Sequence, residues 1–231
     1  MEKKTNSVRK IYHGSDHIIE RPSYGAGKPY NDYGRGFYCT EDLDMAKEWG
    51  TRQDKNGIAN CYTIDCDGLT ILNLNDPQYC ILHWLSVLIE NREFDVPSPL
   101  AVQAKHYILE NFHVNYKKTD CMIGYRADDS YFSFAQDFLN GTISYRQLNH
   151  AMHLGKLGEQ FVLKSKQAFE RITYTGYEFA GRAEWYSRKV NRDRTARREY
   201  FHLERNLIRP DDIFITRILS EEMKENDPRL R

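Results

Sequence analysis

The chain has no net charge. Lys and Arg together number 33, as do Asp and Glu. That argues against a protein that is basic throughout, while leaving a local basic face possible. No long hydrophobic run is present either. The most apolar stretch, Cys80 to Ile89, is broken by His83 and Ser86 and falls far short of a membrane span. The N-terminal MEKKTNSVRK is polar and has no apolar segment behind it, so no secretory signal is legible. Cysteine is sparse: Cys39, Cys61, Cys66, Cys80 and Cys121 are odd in number and irregularly spaced. This pattern fits reduced thiols in a cytoplasmic protein and not a disulfide framework. Internal repeats and low-complexity tracts are absent.

Aromatic residues are plentiful. Sixteen Tyr and eleven Phe argue against disorder. A chain of 231 residues can bury roughly 70–75% of its unfolded surface, enough for a core without a metal or disulfide staple.

Local patterns predict an α+β chain. Strands are expected at Arg9 to His13, Gly36 to Thr40, Ala59 to Asp65, Leu69 to Leu74, Cys121 to Tyr125 and Gln160 to Lys164. Helices are expected from an N-cap at Thr40 to about Trp49, from Pro77 to Ile89, and from Pro99 to Phe112. Two more are expected at Ser130 to Leu139 and Ser144 to Leu154. Between Glu20 and Gly36 lies a long loop rich in Gly and Pro, and such loops in compact domains are usually functional. After about residue 178 the composition shifts. Arg182 to Arg205 holds eight basic residues against four acidic ones, with Tyr186, Tyr200 and Phe201 interleaved. The division expected is a catalytic body at 1–178 and a basic C-terminal extension at 179–231. In the extension, Ile213 to Leu219 reads as strand-like and the last residues as frayed.

Chemistry concentrates in the first fifty residues. His13 ends a strand beside Gly14, offering a side-chain donor and an unobstructed backbone edge. In Gly34-Arg35-Gly36-Phe37-Tyr38, strand alternation places the two aromatics on opposite faces. Trp49 follows on the next helix, one turn from Ala46. A histidine, free backbone and flat aromatics suit a planar, carboxamide-bearing ring. Two histidine pairs, His13/His17 and His150/His153, have helical spacing, but neither has a further ligand at metal-binding spacing, so no metal is expected. Asp128-Asp129 reads better as a turn before a helix than as an acid pair.

Three motifs, taken in order, resemble the ADP-ribosyltransferase superfamily. They are Tyr12-His13-Gly14-Ser15, the run Asp32 to Tyr38, and Leu157-Gly158-Glu159-Gln160-Phe161-Val162-Leu163-Lys164-Ser165. The likeness is to the His-Tyr-Glu branch that contains the poly(ADP-ribose) polymerases and diphtheria toxin, and within it to a bacterial domain-of-unknown-function family. The resemblance implies an ADP-ribosyltransferase fold: two small antiparallel sheets clasping NAD, with a helical insertion and a C-terminal helical extension. It implies that His13 bonds the adenosine ribose and that Gly14, with Ser15 and Gly36 nearby, grips the carboxamide through backbone. Tyr38 would stack on nicotinamide with Trp49, beside Ala46, against the other ring face, while Lys28 or Arg35 would meet the pyrophosphate. The third catalytic position is Glu159 or Gln160. Only one can face the pocket; alignment on the polymerase favours Glu159 and the narrower family favours Gln160.

The resemblance further implies an NAD-dependent mono-ADP-ribosyltransferase, a toxin-like bacterial effector of toxin–antitoxin or phage-defence type. NAD would be its substrate. A protein or nucleic-acid acceptor and an antitoxin would be its partners. Two alternatives stand beside this: an inactive NAD or ADP-ribose binding module, and a nucleic-acid-binding protein using the basic C-terminal face.

Overall fold

The computed structural model describes residues 7–127, 129–154, 158–201 and 208–230. Two small sheets face each other, and helices cover the outer face of the second. The first sheet has the order β1 (Val8–Ser15), β3 (Gly57–Asp65), β7 (Ile172–Ala180), all antiparallel. In the second the order is β2 (Phe37–Cys39), β6 (Glu159–Leu163), β5 (Cys121–Tyr125), β4 (Ile71–Asn73). Its β4–β5 pairing is parallel, because the chain crosses over through two helices between those strands. The expectation of two wholly antiparallel sheets is corrected to one antiparallel sheet and one mixed.

Strand alternation sorts the second sheet into two faces. Cys39, Cys121, Ile123, Phe161 and Leu163 point toward the first sheet and pack on Ile11, Tyr62 and Ile64. Tyr38, Met122 and Val162 point the other way, into the helical body. That body is built on α2 (Ile81–Asn91), α3 (Pro99–Asn111), α4 (Asp129–Leu139), α5 (Tyr145–Ala151) and α8 (Ile215–Ser220). Leu82, Leu85 and Leu88 of α2 are fully buried, with Trp84 at 1% exposure, as an all-round apolar helix requires. The two sheets are joined near one end by the Tyr12–Thr40 bridge, with hydrogen bonds of 2.8 and 2.9 Å.

Several local expectations change. The first helix, α1 (Leu43–Gly50), is capped by Asp42, whose carboxylate accepts from Met45 N–H, because Thr40 is held in the bridge. The helix expected from Pro77 starts at Ile81, where Cys80 and His83 form its capping box. β7 is a strand that the sequence did not announce, and it runs through the expected boundary at 178 to Ala180. Ile213 to Leu219 is not a strand: Ile215 and Ile218, three apart, are buried on one side of α8. The C-terminal residues pack rather than fray, with Leu230 buried and Arg229 paired to Glu221 and Asp227. A short α6 (Lys166–Glu170) precedes β7, and α7 (Arg182–Glu199) follows it. Asp128 and the 155–157 segment, which includes Leu157 of the third motif, lie outside the described residues.

Candidate functional site

A cleft of about 920 Å³ opens between the ends of β1 and β2, the loop from 20 to 36, and helices α1 and α7. This volume is at the upper end of the range for small-molecule sites. His13 lines it from the end of β1. Its Nδ1 lies 2.7 Å from the Tyr38 carbonyl, which can only accept, so Nδ1 carries the proton. The imidazole stacks on Phe37 at 4.3 Å, and burial pushes its pKa below the ordinary histidine value. A neutral ring protonated at Nδ1 leaves Nε2 as an acceptor. Gly14 follows in the same wall. A Cβ there would come within 2.1 Å of the Ala46 carbonyl oxygen and 2.6 Å of the Gly50 nitrogen, so only glycine allows α1 to lie against β1.

Tyr38 and Gln160 share the helix-facing side of the second sheet. The Tyr38 hydroxyl donates to the Gly34 carbonyl at 2.5 Å and accepts from the Tyr33 N–H at 3.0 Å, which fixes the ring at the cleft wall. Its ionisation is pushed far up by burial, so it acts as a flat apolar surface with a tethered hydroxyl. Gln160, 4% exposed, donates Nε2 to Asp32 at 2.9 Å. Asp32, 5% exposed, also accepts from Arg92 Nη1 and from the Ala127 N–H, each at 2.9 Å. Burial raises the Asp32 pKa, and the Ala127 N–H, Arg92 and Gln160 act against that rise. Glu159, one residue earlier, points away. It is exposed and accepts from Asn75 at 2.6 Å.

Trp49 closes another side. The Arg126 guanidinium lies 4.5 Å from its ring centroid, a cation–π contact on one face. Trp49 Nε1, Gln160 Oε1, and Nε and Nη1 of Arg192 are buried without a hydrogen-bond partner among the described residues. All three residues line the cleft. Orphaned polar atoms are rare in folded proteins, and here three of the residues that carry them sit together in one cavity. The walls are also strongly cationic for a chain of zero net charge. Arg21, Arg92, Arg126, Lys189, Arg192 and Arg197 face two carboxylates, Asp32 and Asp193.

A family model described as "Protein of unknown function (DUF3990)" matches residues 9–174. The chain belongs to the DUF3990 family. No curated protein and no solved structure matches it. The DUF3990 segment contains His13, Gly14, Gly36, Tyr38, Trp49 and Gln160, and the fold brings all six to the cleft. Helix α7 lies beyond the DUF3990 segment, yet it forms one wall.

Other sequence candidates fall elsewhere. Ser15 is occupied by the Asn60 amide at 2.9 Å and by the His17 carbonyl. Lys28 is exposed and does not line the cleft, and Arg35 is tied to the Gly25 carbonyl at 2.9 Å, bracing the loop. Ala46 is fully buried beneath Gly14 and contributes packing. Among the described residues no group of His, Cys, Asp and Glu is arranged to hold a metal. None of their helices is long and apolar enough to cross a membrane.

Sequence reasoning missed Asp32, Arg92, Arg126 and the inner face of α7. For α7 a signal was present. Tyr186, Val190, Asp193 and Arg197 follow the i, i+4, i+7, i+11 spacing of a single helical stripe, and all four line the cleft.

Proposed function

We propose that this DUF3990 protein is an NAD-dependent mono-ADP-ribosyltransferase. The observation that carries the reading is the convergence of His13, Tyr38 and Gln160 on one cationic cleft, from three strands of two sheets. Those residues fill the three positions that the superfamily resemblance singles out. The two facing sheets are compatible with the ADP-ribosyltransferase fold that the resemblance implies.

In this reading His13 Nε2 accepts from an adenosine ribose hydroxyl. The Tyr38 ring stacks on nicotinamide, whose carboxamide meets the Gly14 backbone, and Trp49 offers a second aromatic surface. Arg126, now over the Trp49 ring, shifts if nicotinamide takes that face. The reaction breaks the bond between nicotinamide nitrogen and ribose carbon. Nicotinamide leaves neutral with the bonding electrons, positive charge builds on the sugar, and an acceptor nucleophile bonds to that carbon and loses its proton. The unpaired Oε1 of Gln160 accepts from a hydroxyl of that ribose and places partial negative charge beside the developing cation. An amide stabilises charge less than a carboxylate does, which suits a single transfer better than chain elongation.

The amide at the third position also supports a second reading, a module that binds NAD or ADP-ribose without turnover. Incubation with NAD labelled in both halves separates the two. Released nicotinamide with labelled acceptor supports the transferase, binding without release supports the module, and no affinity for NAD overturns both. Roles as a toxin-like effector with an antitoxin, and in the cytoplasm, follow from the resemblance alone. Expression in a host, with growth and macromolecular ADP-ribose followed together, tests them.

A further inference from the structure

Helix α7 crosses from α1 to α4. Near its N-terminus Trp185 is packed between Lys47 and Arg188, at 5.1 and 4.4 Å, and Arg188 approaches Asp44 at 3.7 Å. Near its C-terminus Ala196 and Tyr200 enter the helical core, where the Tyr200 hydroxyl meets Asp137 at 3.0 Å. Between these anchors its inner stripe faces the cleft, adding Lys189, Arg192 and Arg197, while Arg194 and Arg198 are exposed on the outside. Arg192 is mostly buried and is held through Nη2 by Glu48, leaving Nε and Nη1 without partners among the described residues. A guanidinium fixed at one nitrogen, with N–H groups to spare in a cleft wall, is preorganised for a phosphate oxygen.

We propose that α7 supplies the diphosphate subsite of the cleft, with Arg192, Lys189 and Arg197 holding the pyrophosphate bridge of a dinucleotide. The ligand assignment rests on the NAD reading above. The anion site itself stands on charge and geometry. Glu48, which positions Arg192, is the residue before Trp49, so the cation and the aromatic wall are set by consecutive residues of α1. A ligand that carries both a planar ring and phosphates meets both. Lys28 and Arg35, the cations that the sequence suggested for this task, do not line the cleft.

The test uses the full chain and two double variants that remove equal charge from opposite faces of α7. Arg192→Gln/Arg197→Gln changes the inner face and Arg194→Gln/Arg198→Gln the outer. Titration calorimetry at fixed salt with ADP-ribose, inorganic pyrophosphate and nicotinamide riboside reads the result. The inner variant should weaken ADP-ribose and pyrophosphate about 10-fold or more and leave the phosphate-free riboside unchanged. The outer variant should match wild type. Equal affinities for the two variants overturn the proposal. So does an inner-face effect confined to single-stranded oligonucleotides, which would assign α7 to an acceptor. Because Arg192 also ties α7 to α1, Lys189→Gln, which keeps that tie, decides the matter if the inner variant unfolds. It should weaken pyrophosphate several-fold, and no change overturns the proposal. Binding of pyrophosphate that depends on α7, with no binding of NAD or ADP-ribose, would keep the anion site and reject the dinucleotide. Binding of ADP-ribose that is independent of α7 would do the reverse.

Discussion

Gln160 and Asp32, 128 residues apart in the chain, are joined by a 2.9 Å hydrogen bond that runs from the amide to the carboxylate. An ionised carboxylate can only accept, so it presents Gln160 with its nitrogen inward and its oxygen unpaired. Asp32 therefore sets the polarity of the one amide that the proposed chemistry needs. Asp32→Asn keeps the shape but can offer either a donor or an acceptor, and that polarity is lost. Nicotinamide release should fall by about 10²-fold, with NAD affinity changed far less. Steady-state rates set beside equilibrium titration check this, and unchanged turnover would remove Asp32 from the site.

Gln160→Glu should behave as a pH-dependent lesion. Two carboxylates at this spacing cannot both ionise, so the pair holds a proton in the folded state that the unfolded chain releases. Stability is then present at low pH and lost as pH rises through the pair's raised pKa. Thermal melts from pH 5 to pH 8 should show a deficit against wild type that grows with pH. Adding Asp32→Asn should erase it. Glu159→Ala, exposed on the face of β6 opposite Gln160, should leave both stability and turnover near wild type, and an inactive Glu159→Ala protein would reassign the third position.

His13 gives the opposite sign. Its folded pKa lies below the ordinary histidine value of 6.5 because burial disfavours the charged ring. Below pH 6.5 the unfolded chain binds the proton more readily, so this group's contribution to stability falls as the solution is acidified. The loss is complete once pH passes below the folded value. His13→Gln, which cannot titrate, should flatten the acid limb of the melting curve between pH 6.5 and 5. A limb as steep as wild type would show that other groups cause it.

Gly14→Ala tests the seat of α1. The added methyl would meet backbone at 2.1 and 2.6 Å, and backbone cannot rotate away, so α1 must shift. A cost of about 1–3 kcal/mol is expected, read as a lowered denaturation midpoint. Trp49 moves with the helix, so NAD affinity should drop in the same variant. A protein with wild-type stability would mean that α1 is looser than its contacts imply.

His13, Tyr38 and Gln160, which the fold brings to one cleft, were legible because each is tied to a short local pattern. His13 stands beside a required glycine, Tyr38 is in an alternating strand, and Gln160 begins another. The alternation of β6 turns Gln160 toward the cleft and Glu159 away from it. Asp32 opens the run Asp32 to Tyr38, but nothing local marks its role, because its partners Arg92, Ala127 and Gln160 come from distant segments with no shared period. Helix α7 was read through its composition, as a basic surface, and its inner stripe is chemically too mixed to stand out as a buried face. Ile213 to Leu219 misled through its β-branched residues. Packing of Ile215 and Ile218 against the helical core outweighed that local preference.

The Tyr12–Thr40 bridge gives the cleft a pivot. It lies one residue from His13 and two from Tyr38, where the facing sheets are fastened directly to each other. If the sheets swing open or shut, points near the fastening travel least and points far from it travel most. Under such a swing the spacing between His13 and Tyr38 would change least of the cavity's dimensions. The loop wall and α7, farther out, would take up such a motion, and the cavity would change length while its His13 and Tyr38 end keeps its dimensions.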